Sequence, residues 1–224
     1  MRMLSTRLRE ASAAVIAMVV LLALLATASV TYAATTATAG RDVPPSTSVS
    51  AGFARDMSEH HAQAVKMSFI IRERTNDKQV RTLAYDIINT QATQRGMMMG
   101  WLRQWGLPLA NPGSSMEWMQ GSSMSGMSHM SNDGRMPGMA SPQELTKLRQ
   151  AEGKRAETLF LQLMTRHHEA GVDMAQAAVK LSEQPEVRQL ARTMVSGQQA
   201  EIKLMTEMLH ERGAKPLPWP AQHG

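Results

Sequence analysis

The fold is decided by Phe160–Met174, FLQLMTRHHEAGVDM, read against Phe53–Met67, FARDMSEHHAQAVKM. Phe, Met, an adjacent His pair, Val and Met recur in the two stretches at identical spacing. At ~100° per residue, a helix puts Phe53, Met57, Ala64, Met67 and Ile71 on one face. His60 and His61 flank that face, one toward Met67 and one toward Met57. Phe160, Met164, Gly171 and Met174 repeat it, with His167 and His168 in the flanking positions. The stripe is apolar apart from imidazoles and thioethers. These are donors that soft or borderline metal ions prefer, Cu(I) first.

Outward from this core the likeness extends without a gap, aligning Phe53–Leu107 with Phe160–Ala214. Matched pairs include Val80/Val187, Leu83/Leu190, Gln91/Gln198, Met98/Met205, Leu102/Leu209 and Gly106/Gly213. Each copy reads as a helix, a short turn and a second helix. The turns fall near Asn76-Asp77 and near Glu183–Pro185, with Pro185 suited to a first helical turn. Gly106 and Gly213, each followed by Pro, mark the ends of the second helices. Ser141-Pro142-Gln143-Glu144 reads as a capping box that starts the third helix. No segment alternates with period two, so the expected class is all-α. Two hairpins that cannot bury their stripes alone pack on each other as a four-helix bundle. The connection between them is long for a bundle. It has room to cross the bundle's length and relate the copies by an approximate two-fold axis, as in ferritin-like folds; simple up-down-up-down order is the alternative.

The expected organisation is a secretory signal peptide at 1–33, a disordered spacer at 34–50, a first hairpin at 51–107, a Met-rich linker at 108–140 and a second hairpin at 141–216. The bundle domain is 51–216 overall. Arg2, Arg7 and Arg9 precede an apolar run, and Thr31-Tyr32-Ala33 precedes the expected cleavage. An uncleaved anchor is the alternative, and the only route by which the chain would meet a membrane. Either way the bundle lies outside the cytoplasm. The chain of 224 residues has no Cys, which excludes disulfides and thiolate metal sites. Its net charge of +5 is spread without a Lys/Arg run, which gives no sign of a nucleic-acid partner. No nucleophile triad, phosphate-cradling Gly loop or nucleotide motif is present, so the reading is a binding protein rather than an enzyme.

The second helices contribute inward polar and thioether groups. Gln91, Gln94, Met98 and Leu102 are echoed by Gln198, Glu201, Met205 and Leu209. Gln91 and Gln198, with Glu201, are candidates to hold the imidazoles in one tautomer; for the two Gln, hydrogen bonding within the core is the alternative. Twenty Met is a large excess over what a flexible core filler requires. Many stand in the linker: Met116, Met119, Met124, Met127, Met130, Met136 and Met139, amid Ser and Gly, with His129 beside Met130. Such a segment lacks branched apolar residues, so these Met are expected to be exposed. They read as thioether donors for Cu(I) or Ag(I), with an oxidant-consuming spacer as the alternative.

The double pattern M-x-x-H-H-x-x-x-x-x-M, followed by Q-x-x-E/Q-x-x-x-M, resembles the family called domain of unknown function 305. The likeness covers about Gly52 to Lys215. It implies an exported, ferritin-like helical bundle, and its CopM-like members bind copper. Carried over residue by residue, it implies roles for Met164, His167, His168, Met174, Gln198, Glu201 and Met205 in the second copy. In the first copy Met57, His60, His61, Met67, Gln91 and Met98 match. Gln94 stands where the pattern prefers Glu, and Gly96 and Met97 disturb that helix, so the first copy is expected to hold metal differently or more weakly. The competing functions are a di-iron oxidase on the same scaffold and a metal-free interaction bundle. For the former the only Glu-x-x-His is Glu207 to His210, near a helix end.

Overall fold

The computed structural model describes residues 43–111, 113–119 and 134–218. The expected signal peptide, and Met124, Met127, His129 and Met130, lie outside the described residues. The described elements are helical: α1 Val49–Arg74, α2 Lys78–Gln104, α3 Pro142–Gln150, α4 Gly153–Leu181 and α5 Pro185–Glu211, with a short 3-10 turn at Glu117–Met119. No described helix is long and apolar enough to cross a membrane.

Local chemistry sets each boundary. Ser48 caps α1 by accepting from the Ala51 amide, and Asp77 caps α2 by accepting from the Val80 amide. Each spares an otherwise orphaned amide at a helix start, worth about 1 kcal/mol. Gly106 and Gly213 take φ of 68° and 67°. They turn the chain so that Leu107 and Ala214 bond back to the carbonyls of Leu102 and Leu209. The capping box at Ser141 and Glu144 is formed, but it opens only the short α3. Ala151 and Glu152 are extended, and Gly153 adopts φ 52°, so α4 is a separate helix. The start of the bundle differs from the expected spacer, because α1 already begins at Val49. Arg55 also donates to Ser46 at its carbonyl and hydroxyl, which holds that segment against α1.

Helices α1 with α2, and α4 with α5, pair as hairpins, and α1 packs on α4. The core shows how. One apolar cluster joins Phe53, Met57, Met98 and Leu102 of the first copy to Met174, Val187, Leu190 and Ala191 of the second. The other joins Phe160, Met164, Met205 and Leu209 to Met67, Val80, Leu83 and Ala84. Each cluster is the other with the copies exchanged. The early part of α1 therefore meets the late part of α4, so these helices run antiparallel about an approximate two-fold axis. The linker must cross the bundle's length, which is the ferritin-like alternative rather than up-down-up-down.

Candidate metal centre

The histidines lie midway along α1 and α4, between the two apolar clusters. All four imidazoles are fully buried. His60 and His167 meet across the two-fold, their ring centroids 3.6 Å apart and their planes inclined by 28°. His61 and His168 turn the other way, each toward its own second helix. His61 Nε2 lies 2.8 Å from Gln94 Oε1, and His168 Nε2 lies 2.6 Å from Glu201 Oε2. His167 Nε2 lies 3.1 Å from the His60 carbonyl.

These partners are acceptors, so His61, His167 and His168 each carry the proton on Nε2 and leave the lone pair on Nδ1. Those three Nδ1 atoms are buried with no hydrogen-bond partner. His60 makes no well-formed bond at either nitrogen, although the backbone of Pro137 lies near enough to offset a little of the fall in its pKa. A buried polar atom without a partner costs about 1–3 kcal/mol, and here the same atom is bare in both copies. Burial pushes the His60 and His167 rings well below the usual histidine range, and each is further lowered by neighbouring imidazoles. Burial likewise brings His61 down to about 4. Neutral imidazole is the form that ligates metal.

Thioethers flank this layer. Met57, Met67, Met98, Met164, Met174 and Met205 are all buried. Among the described residues, no three or more His, Asp or Glu side chains gather in a group able to hold a metal ion. Along α1 and α4 the soft donors that share the histidines' helices are the thioethers of Met57, Met67, Met164 and Met174. The bare imidazole lone pairs and this sulfur-rich surround fit a soft ion.

The family model for the domain of unknown function DUF305 matches residues 50–209. The chain belongs to the DUF305 family. A DUF305 protein from Streptomyces coelicolor, described as a candidate secreted protein, is 49% identical, with a TM-score of 0.70, covering 78% of this chain and 99% of that one. A DUF305 fragment from Deinococcus radiodurans is 34% identical, with a TM-score of 0.59, covering 75% and 99%. CopM in its Cu(I)-bound form is 22% identical with a TM-score of 0.54, covering 71% and 94%, and shares the fold. CopM structures in Cu(II)-bound and Ag-bound forms are similar as well. No curated protein matches the chain significantly.

Two features of this DUF305 chain differ from the sequence-based expectation. Gln91 and Gln198 were candidates to orient the imidazoles, yet both carboxamides are buried without partners. The groups that meet the rings are Glu201, which was among the candidates, and Gln94, which was not, each one helical turn further along. Gln198 instead fills the space left by Gly171, where a Cβ would sit 2.3 Å from its Oε1. The signal for Gln94 was present, since it bears the same relation to His61 as Glu201 bears to His168.

The second difference is the linker. Met116, Met119 and Met136 are not exposed but buried in the first cluster, with Met139 packed against it. Asp56 gathers the linker onto α1. Its Oδ2 accepts from the Met116 amide at 2.7 Å and from Trp118 Nε1 at 2.9 Å. The returning end of the linker passes beside the histidines. Gly138 lies so close to α4 that a Cβ would be 2.8 Å from the Arg166 carbonyl and 3.3 Å from His167 Cα. Gln63 clasps Ala140 through both its amide and its carbonyl. His210, in the last turn of α5, is exposed.

Proposed function

We propose that this protein is an exported copper-binding protein that holds Cu(I), or Ag(I) in its place, on the buried imidazoles and thioethers of the bundle. It serves sequestration, buffering or transfer in copper tolerance, without turnover. The observation that carries this reading is the set of three imidazoles with Nε2–H tied to an acceptor and Nδ1 left bare inside the protein. Orientation of the ring through its far nitrogen is how proteins prepare a histidine for a metal. The surrounding sulfur favours a soft ion over Zn(II) or Fe(II).

The CopM structures in Cu(I), Cu(II) and Ag forms support the same cargo. Export is supported by the pattern of residues 1–33 and by the relative described as a candidate secreted protein. In this reading His60 and His167 form a shared centre, while His61 and His168 each serve one copy with Met57, Met67, Met164 or Met174 alongside. Gln94 and Glu201 hold the rings, and Gln91 and Gln198 line the wall.

The test is a competition titration of the protein with Cu(I) and Zn(II). The expected result is Cu(I) affinity far above that for Zn(II), with the Cu(I) held by the imidazoles lost from the count when His60, His61, His167 and His168 are replaced by Ala. Equal affinity for Zn(II), or unchanged Cu(I) binding in the four-histidine variant, overturns it.

A further inference from the structure

The approximate two-fold makes the two apolar clusters equivalent in their helical residues, and this provides an internal comparison for what closes each end. The second cluster is closed by α3 and its flanks, through Leu145, Leu148, Ala140, Ala151 and Ala156. These are aliphatic side chains suited to packing alone. The first cluster is closed by the linker, through Met116, Trp118, Met119 and Met136. With Met57, Met98, Met174 and Met194, this end holds seven buried Met, against four (Met67, Met164, Met205, Met208) at the other.

The linker Met do not arrive there by default. Met116 takes φ 67°, a left-handed conformation that a side-chain-bearing residue keeps only where its surroundings impose it. Its amide is bound by Asp56, which is almost fully buried. Trp118 is bound by the same carboxylate oxygen and stands edge-on to Phe53 at 5.7 Å. Gly52 supplies the room, since a Cβ there would lie 2.6 Å from Trp118 Cδ1. A strained residue, a buried carboxylate and a dedicated gap together hold Met116 and Met119 in place. Met specifies packing poorly, because it has three rotatable bonds and no branch. Aliphatic residues would have closed this end at less conformational cost, as they do at the other.

We infer that Met116, Met119 and Met136, gathered in one buried cluster with Met98 and Met194, form a second soft-metal site that takes a monovalent ion such as Cu(I) or Ag(I) on thioether sulfur, separate from the histidine centre. Thioethers are neutral donors and gather around such ions without losing a proton. Asp56 places a buried carboxylate at the edge of the site, where it lowers the cost of bringing a single positive charge into an apolar interior. The ion would sit at the end of the bundle reached by the linker, beside the part of α1 that leads to His60 and His61.

The experiment is an Ag(I) titration of the full chain followed by native mass spectrometry. Met116, Met119 and Met136 are replaced together by Leu, a swap that keeps volume and is usually tolerated. The expected result is one Ag(I) fewer than in the unaltered protein, with the other ions retained. The variant lacking His60, His61, His167 and His168 keeps the ion that the Leu variant loses. An unchanged count in the Leu variant overturns the site, and so does a histidine variant that binds no Ag(I). A protein that loads normally on its histidines and ignores the Leu substitutions leaves the copper reading standing while this inference fails. If the triple variant does not fold, the Met ε-methyl NMR signals of the unaltered protein decide. Shifts at Met116, Met119 and Met136 on adding Ag(I) support the site, and shifts confined to other Met overturn it.

Discussion

Replacing Glu201 by Gln converts the second copy's imidazole support into that of the first. His168 Nε2–H donates to a carboxylate at 2.6 Å, whereas His61 Nε2–H donates to the Gln94 carboxamide at 2.8 Å. A hydrogen bond to a charged group contributes about 1.5–3 kcal/mol, against about 0.5–1.5 kcal/mol between neutral groups. The Glu201 side chain is 23% exposed, so the lower part of that range applies. The difference is roughly 0.5–1 kcal/mol, about two- to fivefold in an equilibrium constant. It reaches the metal because a carboxylate behind the ring makes the opposite nitrogen a stronger donor. Glu201→Gln is therefore expected to weaken Cu(I) binding at His168 by about two- to fivefold and to leave the first copy unchanged. Gln94→Glu should strengthen the first copy by a similar factor. A chelator competition titration measures both, and long-range proton–nitrogen NMR reports the His168 tautomer, which should stay Nε2–H. Equal weakening of both copies, or no change with the tautomer preserved, would refute the reasoning.

Three further outcomes follow from the same geometry. Gly138→Ala combines a φ of 75° with a Cβ placed 2.5 Å from Ala170 Cβ; it should cost about 2–4 kcal/mol in urea unfolding and loosen the segment beside His167. Asp56→Ala strips the acceptor from the Met116 amide and Trp118 Nε1; a loss of about 3 kcal/mol is expected, with Trp118 fluorescence moving toward that of a solvent-exposed indole. The metal-free protein should lose stability as pH falls from about 6.5 toward 4, because the His60, His61 and His167 rings have folded-state pKa values below the unfolded one and bind protons only on unfolding. His61 alone, at about 4 in the fold, accounts for roughly 3 kcal/mol across that window. Glu169 acts with the opposite sign. Burial, with Asp173 nearby, raises it to about 7, so its contribution is lost as pH rises from 4.5 through 7. Glu169→Gln should raise the melting temperature at pH 8 and change little at pH 4.5; a drop at pH 8 would contradict that sign.

Much of the bundle was legible because it is written twice. The recurrence of Phe, Met, His-His and Met at helical spacing predicts two inward stripes, and the structure buries Phe53, Met57, Met67 and their counterparts completely. Turn and cap chemistry at Asp77, Pro185 and Gly213 is local, so it too could be read from neighbouring residues. The linker misled because its composition is that of an exposed segment. Burial of Met116 and Met119 depends on Asp56 and Gly52, about sixty residues earlier in the chain, and no local pattern announces that pairing. Gln94 stands in register with Glu201 in the sequence, but that its carboxamide rather than that of Gln91 reaches His61 depends on how α2 packs against α1.

By itself, the sequence determined the four long helices, their hairpin pairing, and which of their side chains face inward, since a period of 3.6 residues is a property of each segment alone. Only the tertiary structure decided that His60 stacks on His167, that Met57 shares a cluster with Met174, and which imidazole nitrogen is left bare. Those outcomes depend on how α1 crosses α4 and on which acceptor the second helix presents, and these relations exist only once distant segments have packed together.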